Sequence, residues 1–151
     1  DLFDARTAWG NGLLEISKSF ETESIEMARK VAGNMLDTLY GFDLGQVLFK
    51  PTLSGGSQTF RPTKEGALSY YTGQNSVYPN DVGFGVMSWR EFNSNTSAIF
   101  IDDTVAMWMG SFTLIDRDGR VTKVDKSYGY KLDDYGNLRI VLHHSSVPYS
   151  P

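Results

Sequence analysis

The stretch TVAMWMGSFTLIDRDGRVTKVDKSYGYKL, residues 104–132, decides the fold. Its two halves, Thr104–Asp116 and Arg120–Leu132, are rich in β-branched and aromatic residues, and Asp118-Gly119 between them is a tight-turn pair, so the whole reads as a β-hairpin. Along the first half, Val105, Met107 and Met109 share one face while Ala106, Trp108 and Phe112 share the other. Both faces are apolar, which is unusual for a sheet wetted on one side. Helices must cover one face and a second copy of the chain the other, so the pattern predicts a homodimer.

Outward from the hairpin the same character continues. Leu138–Ser146 is a further strand after the turn cluster Asp133–Asn137, and Phe84–Phe92 and Ser97–Asp102 precede, giving an antiparallel meander over about residues 82–146. Upstream the period changes. Ile25, Ala28, Ala32, Met35, Leu36 and Leu39 recur at helical spacing, with Ser24 as cap, Glu26 in the first turn and Gly41 as the stop. An earlier helix across Ala5–Phe20 is a weaker reading, because Gly10 and Gly12 interrupt it at about 1 kcal/mol each relative to Ala. The N-terminal helices therefore occupy about residues 4–41. QVLFKPT follows as a short strand-like run, then the flexible SGGSQ, then a helix over 63–72 capped by Thr63 and ended by Gly73, with Tyr70 and Tyr71 on its last turn. Helices first and a long twisted sheet afterwards predict a single α+β domain over 1–151, its antiparallel sheet curling over the helices into a cone with an internal pocket.

Composition narrows the function. The chain has 151 residues, 40% of them hydrophobic, enough for one well-filled core. Its 14 basic and 18 acidic residues leave a net charge of −4, and no Lys/Arg run could track phosphates, so no nucleic-acid partner is expected. No run of about 18 apolar residues exists, so no membrane partner is expected either. The first residue is Asp rather than Met, which reads as a mature or excised domain whose compartment is unknown. Cysteine is absent, removing disulfides, thiolate nucleophiles and sulfur-based zinc sites. The sequon Asn95-Thr96-Ser97 has meaning only in a secreted protein.

Several constellations fail on spacing. Asp116-Arg117-Asp118-Gly119 lacks the sixth-position Gly and twelfth-position Glu of a calcium loop. Gly55-Gly56 lacks the GK[ST] ending of a phosphate loop, and no G-x-S-x-G elbow exists for a serine nucleophile. Asp102-Asp103 and Asp133-Asp134 fall at turns, where Asp is at home. In LRIVLHHSS, residues 138–146, alternation sends His143 and His144 to opposite faces, so they cannot chelate one ion together. Val141, His143 and Ser145 share one face, and Leu142, His144 and Ser146 the other.

FKPT (49–52), ALSYYTG (67–73) and IVLHHSS (140–146), in that order, resemble the iota class of carbonic anhydrases. The resemblance runs from about residue 20 to the end, and the HHSS ending is its sharpest motif. The class is similar to the cone-shaped nuclear transport factor 2 superfamily, whose relatives include ketosteroid isomerases, polyketide cyclases and the association domain of calcium/calmodulin-dependent protein kinase II. It implies reversible hydration of carbon dioxide to bicarbonate, in several members without a metal, and a plastid or extracytoplasmic compartment. It also implies a polar pocket of Thr52, Tyr70 and Ser145, with Tyr71 and Ser146 as the alternatives one residue along. Some diatom members prefer manganese; the lack of a ligand cluster here favours the metal-free kind, with no cofactor. Phe49, Trp89, Met107 or Trp108 would wall the carbon dioxide site. His143, on Ser145's face and with an ordinary pKa near 6.5, is the expected proton acceptor. Two alternatives on the same cone are a ketosteroid isomerase-like or dehydratase-like enzyme and a non-catalytic association module.

Overall fold

Side-chain caps set the helix starts in a computed structural model that describes all residues, 1–151. The Asp1 carboxylate accepts hydrogen bonds from the amides of Phe3 and Asp4 and opens α1, Leu2–Thr22. Ser24 accepts from the Met27 amide to open α2, Ile25–Leu39, and Thr63 does the same for α3, Lys64–Thr72, which Gly73 ends at positive φ. Helix α1 runs unbroken through Gly10 and Gly12. Gly10 is needed there because a Cβ would collide with the Phe92 ring, so the missing side chain lets the sheet close on the helix.

The strands are β1 (Leu48–Lys50), β2 (Trp89–Asp102), β3 (Val105–Asp116), β4 (Val121–Leu132) and β5 (Leu138–Ser146), in spatial order β1-β5-β4-β3-β2. The meander β2–β5 is antiparallel, as the hairpin reading requires, but β1 runs parallel to β5 and makes the sheet mixed rather than wholly antiparallel. Phe84–Phe92 and Ser97–Asp102 are not two strands. A 3₁₀ turn at Phe84–Val86 leads into the single strand β2, whose register shifts at a bulge between Thr96 and Ala98. A bulge between β4 and β5 shifts the face assignments in β5. Gly129 pairs with Leu142 and Tyr130 with Ile140, leaving Val141 unpaired; Ile140, His143 and Ser145 are the inward residues and Val141 is not.

One cluster of 23 buried apolar residues fills the space between helices and sheet. Trp9, Leu13 and Ile16 of α1 and Ala28, Ala32 and Leu36 of α2 meet Trp108, Phe112 and Leu114 of β3 and Val124, Tyr128 and Tyr130 of β4. The opposite face of the sheet is bare. Phe100, Met107 and Met109 are 58%, 46% and 56% exposed there, so Met107 is excluded from any inner wall.

Candidate active site

Parallel pairing of β1 with β5 sets Phe49 opposite His143 and Lys50 opposite His144. Pro51 then ends β1, since it has no amide to continue a ladder, and the next residue, Thr52, lies over the end of β5. Its hydroxyl is 2.6 Å from that of Ser145. Lys50 Nζ donates to the Ser145 carbonyl at 2.9 Å and ties the two strand ends together. From the far side α3 supplies Tyr70, whose hydroxyl accepts from the Leu53 amide at 3.1 Å. The helix is held by a buried ion pair. Asp81 takes both guanidinium ends of Arg61 at 2.7 and 2.8 Å and the Ser69 hydroxyl at 2.6 Å, while Arg61 also donates to the Gly66 carbonyl.

Thr52, Tyr70, Ser145 and His143 all line one closed pocket, packed too tightly to hold a water molecule, together with Trp9, Phe49, Phe84, Tyr71 and Lys126. The structure thus gathers all four residues singled out in the sequence. Of the expected apolar walls, Phe49 is present and stacks on His143 at 4.8 Å between ring centroids. Trp89 stands behind Phe84, and Trp108 lies deeper in the core against Phe112 and Tyr128. Tyr71, the alternative to Tyr70, shares a hydrogen bond with Tyr40 at 2.7 Å, and Trp9 Nε1 donates to both hydroxyls. Ser146, the alternative to Ser145, lines an outer groove with His144. A larger cleft of about 540 Å³ opens elsewhere, between the start of α1 and the β2–β3 turn. It gathers none of these hydroxyls, so size is the wrong guide here.

His143 is not a free base. Its Nδ1 is 2.8 Å from the Tyr40 hydroxyl and its Nε2 is 2.9 Å from Lys126 Nζ. Burial, then the neighbouring Lys126 and His144, push its pKa well below the ordinary histidine range, so the ring is neutral. Burial alone brings Lys126 down to about 7. Burial likewise raises Tyr70 and Tyr71 and keeps both phenols protonated.

Lys126, Tyr40 and Trp9 were missed in reading the sequence. Lys126 had a readable signal, for it sits at the even positions Val124, Lys126, Tyr128 and Tyr130, the inward face of β4. Tyr40 and Trp9 had none, because aromatic residues at helix ends and faces are ordinary core.

Residues 1–147 match the family described as "Metal-independent carbonic anhydrase". The chain belongs to that family. A curated metal-independent carbonic anhydrase from Nostoc sp. (strain PCC 7120) is 41% identical over 149 residues, covering 99% of this chain and 73% of the relative. A solved iota-carbonic anhydrase from a cyanobacterium, complexed with bicarbonate, is 40% identical with a TM-score of 0.98, over 100% of this chain and 92% of that one. A calcium/calmodulin-dependent protein kinase II association domain from Xanthomonas campestris, at 22% identity and TM-score 0.59 over 99% and 85% of the two chains, shares the α+β fold alone. No group of three or more His, Asp or Glu side chains gathers to hold an ion, and both nitrogens of the inward histidine are engaged. An isomerase-like or dehydratase-like site wants a carboxylate or histidine base in a pocket large enough for a ring system. No carboxylate lines this pocket, both nitrogens of its histidine are engaged, and a ring has no room there.

Proposed function

We propose that this protein is a carbonic anhydrase that interconverts carbon dioxide and bicarbonate without a bound metal, in the cavity walled by Thr52, Tyr70 and Ser145. One observation carries the reading: the Thr52 and Ser145 hydroxyls, 2.6 Å apart, are buried in an aromatic cavity beside Tyr70, in a chain of this family. Carbon dioxide is small and apolar and suits the walls of Phe49, Phe84 and Trp9. Bicarbonate is a planar anion with three oxygens and suits three hydroxyl donors. The pocket as packed has no room for even a water molecule, so bicarbonate enters as the lining side chains part and the Thr52–Ser145 hydrogen bond is exchanged for bonds to itself. That exchange leaves no hydroxyl unpaired. Tyr70, protonated at all ordinary pH, serves as a donor to oxygen. His143 takes a positioning role, its ring fixed between Tyr40 and Lys126 rather than open to the water.

The test is a stopped-flow hydration assay on wild type, Thr52→Val and Ser145→Ala. Each lost donor should lower kcat by about 10²–10³-fold, the cost of one preorganised donor to a developing oxyanion. Wild-type activity with both variants unimpaired would remove the hydroxyl pair from the reaction.

We further propose that the protein works as a homodimer through the bare sheet face. Ala98 pairs with Met109 and Phe100 with Met107 across β2 and β3, so these apolar side chains form one continuous surface with no helix over it.

A further inference from the structure

Lys126 is a lysine at a position where the fold calls for an apolar residue. It is 3% exposed, no carboxylate pairs with it, and its neighbours on the inward stripe are Val124 and Tyr128. Burying an unpaired ammonium costs several kcal/mol, which an apolar residue of the same length would avoid. A buried titratable group that opposes folding and lines a reaction cavity has a chemical reason to be there.

Its surroundings fit two protonation states equally well. Nζ lies 2.9 Å from His143 Nε2, 3.1 Å from Ser145 Oγ and 4.3 Å from the centre of the Trp9 ring. As a neutral amine it donates one N–H to His143 Nε2 and turns the other to the Trp9 face, and its lone pair accepts the Ser145 hydroxyl proton. As an ammonium it keeps both contacts, donates a third N–H to Ser145 Oγ, and gains cation–π stabilisation from Trp9. Proton uptake needs no rearrangement of heavy atoms. The groups facing it are His143 and Ser145 from β5, Trp9 from α1, Phe112 from β3 and Tyr128 from β4, with Tyr70 and Tyr71 of α3 across the cavity and Lys50 of β1 behind Ser145. None is anionic at neutral pH, and burial alone sets Lys126 at about 7, so both states are populated there.

We propose that Lys126 is the proton acceptor of the hydration step, receiving through Ser145 the proton that the attacking water gives up. The proposal rests on the carbonic anhydrase reading. The water oxygen bonds to the carbon of carbon dioxide as one C=O electron pair moves onto oxygen. The breaking O–H bond passes its proton to Ser145 Oγ, and the original Ser145 proton passes to Lys126 Nζ. Bicarbonate and the Lys126 ammonium are left as a neutral pair. Bicarbonate departs, and the ammonium returns its proton to solvent or buffer. Dehydration is the same path reversed. His143 and Tyr40 are positioning residues that aim Nζ at Ser145.

Lys126→Met tests this. Its hydration kcat should fall by about 10²–10⁴-fold, the usual contribution of a positioned base, with circular dichroism unchanged. Wild-type kcat/KM should rise with pH through an inflection near neutrality, and that inflection should vanish in the variant. Lys126→Arg, which keeps the charge but cannot give up its proton, should not restore the rate. Should Lys126→Met fail to fold, NMR titration of the Lys126 side chain in wild type should give a pKa that matches the kinetic inflection. Lys126→Met working at the wild-type rate, restoration by Lys126→Arg, or a Lys126 that stays protonated throughout the rise in rate would each overturn the assignment. A wild type with no hydration activity would instead overturn the carbonic anhydrase reading itself.

Discussion

Tyr70 is where a single oxygen counts most. Its ring packs against Phe84 and Phe49, so Tyr70→Phe keeps those contacts and deletes only the hydroxyl that meets the Leu53 amide and faces the cavity. We expect hydration kcat to fall by about 10²-fold or more, as for loss of one preorganised donor, with thermal stability changed by only about 1 kcal/mol. An equal fall in rate and fold would instead mark Tyr70 as structural. At this scale the sequence was informative where alternation applied: it placed His143 and Ser145 together and sent His144 away. It was silent on what surrounded His143. The Tyr40 and Lys126 partners come from residues 103 and 17 positions away, and only tertiary structure joins them. Lys126 itself was legible in principle, as the one charged residue on an inward stripe.

Among the elements, the support of α3 is the most exposed to a single change. Asp81 is the only carboxylate on the buried Arg61 guanidinium, and the pair also holds Ser69 and the Gly66 carbonyl at the helix that carries Tyr70. Asp81→Asn strands the Arg61 charge in the interior. We expect a loss of about 3–5 kcal/mol in denaturant unfolding, the cost of breaking a buried pair from one side. A loss below 1 kcal/mol would mean that Arg61 escapes to solvent. The Ser24 and Thr63 caps, the stop at Gly73 and the β3–β5 meander were readable because each rests on local chemistry, whereas the Asp1 cap and the continuity of β2 were not. The parallel pairing of β1 was not, since three residues, Leu48–Lys50, carry too little periodicity to choose a neighbour or a direction. Nor was the bulge at Val141, which reverses the faces on either side of it without any Gly or Pro in β5 to announce it.

For the whole molecule, buried titratable groups set how stability follows pH. The unfolded chain protonates His143 below about pH 6.5 and keeps Lys126 charged up to about pH 10.4, whereas the fold holds His143 neutral and Lys126 at about 7. In both windows the unfolded state binds more protons, so stability rises with pH from acid conditions towards about pH 10. Above that it falls, because Tyr40, Tyr70, Tyr71, Tyr128 and Tyr130 are raised by burial and ionise in the unfolded chain first. Thermal melting across this range should trace that curve, and Lys126→Met should melt above wild type at neutral pH, with the gap closing as pH rises. A melting curve that is flat from pH 6 to 9 would contradict it. The bare sheet face makes a separate claim: Met107→Glu should convert a dimer to a monomer in analytical ultracentrifugation, and a wild type already monomeric would remove the dimer.

One rate decides whether the hydroxyl-lined pocket works without metal. Protein stripped with chelator, its metal content verified by mass spectrometry, should hydrate carbon dioxide in stopped flow as fast as untreated protein, and added zinc or manganese should leave that rate unchanged. A rate that collapses on stripping and returns with either metal would contradict the hydroxyl-lined, metal-free cavity as the seat of the reaction.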